Sequence, residues 1–126
     1  MDYLQQAFGG LNPQTDQDAA VKLALNAILM DARLHELSCV LIDGHDIGGV
    51  EGEPGWIIER RDTGPSGELP YYSEWPRNAR FHVRVEPAAF ELAYPDIFME
   101  AYDFRRYVDK AIEAYQAGNP GESGVA

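Results

Sequence analysis

Two carboxylates and an imidazole fall within four residues in Asp43-Gly44-His45-Asp46, at the end of an apolar run. Oxygen and nitrogen donors gathered at a strand end are what a metal ion or a polar ligand requires. A metal site also needs three or four converging ligands. The other imidazoles, His35 and His82, stand on separate segments with no diagnostic spacing. The plainer reading is a polar turn in which Asp43 or Asp46 accepts nearby backbone amides. His82 shares the polar side of an alternating segment with Arg84 and Glu86. There it can act as a general acid or base, or simply bond across to a neighbouring strand. Cys39 lies inside the apolar run, a setting for a buried, inert thiol. Ser38, Ser66, Ser73 and Ser123 lack a nucleophile elbow, and no phosphate-binding or dinucleotide-binding glycine pattern occurs. No catalytic residue, cofactor or metal is assigned. A small metal- or ligand-binding enzyme built on Asp43, His45 and His82 is the alternative reading.

Tyr71-Tyr72-Ser73-Glu74-Trp75-Pro76-Arg77-Asn78 suggests recognition instead. Tyr, Trp and Arg dominate binding hot spots because they bury much surface and keep a polar handle. The competing role for Tyr72 and Trp75 is to anchor this irregular segment onto the core.

The elements that must position these residues are legible from period and punctuation. Val21, Leu25, Ile28, Leu29 and Ala32 recur at spacings of three and four, which predicts a long helix over 16–36 capped by Thr15 or Asp16. Tyr3, Leu4, Ala7 and Phe8 before Gly9-Gly10 suggest one short helix ended by glycine. The continuous apolar run Leu37–Asp43 reads as a central strand, and the glycines of 44–55 as a loop. Trp56–Arg60 resumes a strand that would pair with 37–43. Phe81–Glu86 alternates cleanly, and Phe90, Leu92 and Tyr94 suggest a last strand closed by Pro95. From Asp103 the period becomes helical through Phe104, Val108, Ala111, Ile112 and Tyr115. The expectation is a single α+β domain over 1–118 and a disordered tail at 119–126. Its mainly antiparallel sheet of four to five strands would carry a long N-terminal helix and a C-terminal helix on one face, leaving the other face or an edge for a ligand.

Charge narrows the partner. The 126 residues hold 21 acids against ten Lys and Arg, a net of −11, while 45% apolar residues suffice for one core. Residues 1–53 carry nine acids against Lys22 and Arg33; residues 54–87 are balanced by five arginines. Arg60, Arg61, Arg77, Arg80 and Arg84 interleave with Glu59, Asp62, Glu74 and Glu86, which favours a mixed salt-bridged surface over a phosphate-binding patch. Such a field repels nucleic acid and anionic membranes and steers basic proteins inward. One cysteine, no signal-like N-terminus and no apolar stretch of membrane length lead to the expectation of a cytoplasmic protein.

Small size, helix–sheet–helix order, acidity and the absence of a catalytic signature together resemble the small acidic immunity proteins of bacteria. The resemblance is one of general organisation and carries no motif. It implies an antitoxin that neutralises a cognate basic toxin domain, often a nuclease, with carboxylates that meet the toxin's cleft. On that expectation Asp43, Asp46, Glu51 and Glu53 steer the partner. Tyr72, Glu74 and Trp75 complete the contact. An adaptor subunit that is acidic only for solubility is a further alternative.

Overall fold

A computed structural model describes residues 2–53 and 55–120 and shows an α+β protein. The expected short first helix is α1, Leu4–Phe8, ended by Gly9 in the left-handed conformation. The apolar spacing that follows builds α2, Ala19–Met30, but this helix is shorter than the span expected over 16–36. Ala32 adopts a left-handed φ of 53°, and the chain re-enters a separate helix, α3, at Leu34–Val40. The strand expected over 37–43 is therefore helical as far as Val40 and a turn beyond it. Leu34, Leu37 and Val40, three residues apart, bury one side of α3 against the core.

The glycine-rich stretch expected as a loop contains β1, Gly49–Gly52, hairpinned onto β2, Trp56–Arg60. The glycines suit this edge strand because the neighbours come too close for a side chain. A Cβ on Gly49 would meet the Ile58 carbonyl oxygen at 2.9 Å, and one on Gly52 the Trp56 ring at 2.7 Å. Next come β3, Phe81–Val85, and β4, Asp96–Met99. The strand expected at Phe90–Tyr94 does not form: a turn over 87–89, in which the Ala89 and Phe90 amides both donate to the Glu86 carbonyl, leads into an irregular stretch, and β4 starts only after Pro95. The sheet is an antiparallel meander in the order β1-β2-β3-β4. The last helix, α4, runs Ala101–Gly118, beginning two residues ahead of the expected Asp103.

Register sorts the side chains. Val50, Ile58, Val83 and Ile97 line up across all four strands on the inner face, beside Trp56 with Val85 and Phe81 with Met99. Helices α2 and α4 cover this face, and the Phe81 and Phe104 rings stack at 4.1 Å. Each fully buried Val, Leu, Ile or Phe here contributes about 1.5–3 kcal/mol over its exposed state. The N-terminal segment is drawn in by the Tyr3 amide, which donates to Asn26 Oδ1 at 2.8 Å. Asn119 Nδ2 donates to the Tyr3 hydroxyl at 2.9 Å. Of the tail expected at 119–126, residues 121–126 lie outside the described residues. Among those described, no helix is long and apolar enough to cross a membrane.

A helix-free sheet face as candidate partner-binding site

The alternation that sends Ile58 and Val83 inward sends Glu59 and His82 outward, to the side of the sheet away from α2 among the described residues. The outer positions of neighbouring strands bring Glu59, His82 and Phe98 into one row and Glu51, Ile57, Arg84 and Asp96 into the next. Two short 3-10 turns, Pro65–Glu68 and Pro70–Tyr72, fold the aromatic segment back onto this surface.

The rings form one connected chain. Tyr71 meets Tyr72 edge-on at 5.0 Å, Tyr72 meets Trp75 at 5.0 Å, and Trp75 sits edge-on to both His82 at 5.7 Å and Phe98 at 5.3 Å. His82 and Phe98 stack at 4.2 Å, nearly parallel. Such offset and edge contacts are the geometry that ring quadrupoles favour. Phe98 stays 36% exposed and Tyr71 61% exposed, so the platform is apolar yet open to solvent.

Carboxylates are set around the rings. His82 bonds Asp96 through Nε2 at 2.8 Å, and its Nδ1 lies 3.7 Å from Glu59. The Tyr71 hydroxyl donates to Glu59 at 2.6 Å; that bond, with partial burial, pushes the phenol up to about 12. Burial likewise raises the Tyr72 phenol, with the Glu59 charge adding to the effect. The Arg61 guanidinium stands 5.5 Å over the Tyr72 ring, and Arg84 lies 3.6 Å from Glu86.

The Asp43–Asp46 cluster is a structural turn. Asp43 accepts from the Thr63 hydroxyl at 2.6 Å and the Thr63 amide at 2.9 Å, contacts that hold its carboxyl below the usual range. Asp62 accepts from Arg60 at 2.6 Å and from the Gly44 amide at 2.8 Å, and is lowered likewise, the arginine first. His45 Nδ1 accepts from the Ile47 amide at 2.9 Å. Beneath this turn Arg60 is buried and spends its guanidinium on the carbonyls of Cys39, Val40, His45 and Ile47. Among the described residues no three of His, Cys, Asp and Glu gather as metal ligands, so Asp43, His45 and His82 do not converge.

The residues expected at the contact therefore separate. Asp46, Glu51 and Tyr72 line one open groove of about 470 Å³ that runs onto the outer face past Glu59 and Asp62. Trp75 sits at the centre of the ring chain, and Glu74 is exposed beside it. Asp43 is occupied by Thr63. Glu53 lies in the β1–β2 turn, where it lines a different groove on α2. Sequence reasoning missed Glu59, Asp96 and Phe98. The alternation of β2 marks Glu59 as outward, but nothing local signals that β4 brings Asp96 and Phe98 to His82. Compared with known proteins, the chain matches no family model, no curated protein and no solved structure.

Proposed function

We propose that this protein is an acidic binding inhibitor of the immunity type, which docks the basic domain of a cognate toxin on the outer face of its sheet. The observation that carries the reading is the partly exposed ring chain Tyr71-Tyr72-Trp75-Phe98 bordered by Glu51, Glu59 and Asp96. Aromatic anchors supply contact area at low entropic cost, and surrounding carboxylates steer Lys and Arg of a partner into register. A net charge of −11 extends that steering while repelling nucleic acid and anionic lipid. The role is binding, not catalysis: Asp43, His45 and Asp62 are committed to backbone and Thr63 contacts. The unpaired, buried Cys39 suits a reducing cytoplasm.

The test is to search the neighbouring reading frames for a larger chain with a basic, growth-arresting C-terminal domain and to co-express that product with this protein. Wild-type protein restores colony formation. The double variant Glu51→Lys/Glu59→Lys slows association about tenfold at low salt. The charge-matched double variant Asp109→Lys/Glu113→Lys, at two exposed positions on α4, leaves the rate within about twofold of wild type. Rescue and association rates that do not respond to Glu51 and Glu59 reject the assignment.

A further inference from the structure

Helix α2 is apolar on nearly every side, for Lys22 and Asn26 are its only polar residues. Both are engaged: Lys22 Nζ lies 3.0 Å from Asp16 and 3.4 Å from Asp18, and Asn26 accepts from the Tyr3 amide. A helix of this kind is ordinarily covered all round. Here the stripe Leu23, Ala27 and Met30 is left partly open, with Met30 52% exposed.

That stripe floors a groove of about 410 Å³, within the range of roughly 300–1,000 Å³ in which proteins hold ligands. Leu11 and Pro13 from the α1–α2 connection form one wall, Phe90 and Leu92 from the β3–β4 loop the other. The walls are tied by the Ala93 amide, which donates to the Pro13 carbonyl at 2.9 Å. Asp2, Asp31, Glu53 and Glu91 border the opening, and no Lys or Arg lines it among the described residues. None of these residues belongs to the ring chain or its carboxylates on the outer sheet face.

We propose that this groove docks a basic amphipathic helix of a partner protein. Apolar side chains spaced three and four apart enter between α2 and the β3–β4 loop, and flanking Lys or Arg meet the four carboxylates. Charge complementarity selects this occupant. An anionic lipid surface would be repelled by the acidic border, and a second copy of the chain would set carboxylate against carboxylate across a two-fold contact. The site stands independently of the outer face and names a second kind of contact.

The test uses the full chain and fluorescence anisotropy with three synthetic peptides. One is a Leu/Lys peptide with its leucines at helical spacing, one has the same composition scrambled to break the stripe, and one replaces Lys by Glu. Saturable one-to-one binding of the first alone is expected. Met30→Lys, and separately Glu53→Lys/Glu91→Lys, should each weaken it about tenfold, whereas Glu51→Lys on the outer face leaves it unchanged. All of these positions are solvent-exposed, and circular dichroism verifies that the variants fold. The proposal is overturned if no peptide binds, if the scrambled peptide binds equally, or if Glu51→Lys weakens binding as much as the groove variants. A dimer in sedimentation that Met30→Lys abolishes overturns it too, by naming the chain itself as the occupant.

Discussion

The two faces of the sheet are built from the same strands, one residue out of step, and they are put to opposite uses. On the inner face Ile58 and Val83 lie side by side with no solvent exposure, sealed by α2 and α4. One position away, Glu59 and His82 face outward into a polar contact, a ring stack and water. The inner face contributes free energy of folding through area removed from water. The outer face holds charge and aromatic area in reserve, because its rings contact one another and remain partly exposed. A surface kept this way is organised before any partner arrives, which lowers the ordering cost of association.

The contrast breaks most severely at Phe104, which is fully buried against Phe81. Phe104→Ala should cost about 3–5 kcal/mol of unfolding free energy, read as a lower urea midpoint. Next is Arg60, the charged residue on the inner face. Arg60→Met should cost about 3 kcal/mol, since it strands Asp62 and several carbonyls without their donor. Equal stability of this variant and wild type would remove the inner-face role. On the outer face Trp75→Ala should cost only about 1 kcal/mol while removing the centre of the ring chain. A loss as large as that at Phe104 would make the outer face a second core.

The smallest effects are titrations. The Tyr71 phenol, pushed up to about 12 from its ordinary 10.0, gains stability from Glu59 that is fully present below pH 10 and is lost as pH rises through the folded value. In absorbance titration, Glu59→Gln should move one tyrosine ionisation from about 12 toward 10.0. Asp43 has a carboxyl depressed below 3.8, so its contribution is present above that value and vanishes as pH falls through the folded one. Asp43→Asn should lower Tm near neutral pH, and the difference from wild type should close in strong acid.

The inner face was the more legible of the two in the sequence. Phe81, Val83 and Val85 announce β3 by period two, and Phe104, Val108 and Ala111 announce α4 by spacings of four and three. Leu37–Ile42 misled because a short continuous apolar run suits a buried strand and a buried helix equally. The break that decides it, Ala32 in a left-handed conformation, occurs at a residue type that does not advertise such a turn. The outer face was only half legible. The aromatic segment and the polar side of β3 stand out in the chain, but their meeting depends on long-range register, His82 against Phe98 above all. Phe90, Leu92 and Tyr94 alternate convincingly and still form no strand, since the Glu86 carbonyl captures the Phe90 amide and the Pro13 carbonyl captures the Ala93 amide.

Arg60 also determines how the molecule opens. Its guanidinium can be desolvated only when the end of α3, the turn at 45–47 and β2 are all in place, because each supplies part of its hydrogen bonding. Releasing any one of them leaves a buried cation short of acceptors, so partial fraying of this corner is costly. The segments should therefore behave as a single cooperative unit in native-state hydrogen exchange. The amides of Leu37–Val40 and Trp56–Arg60 would then share one opening free energy, although fifteen residues of chain separate the two segments.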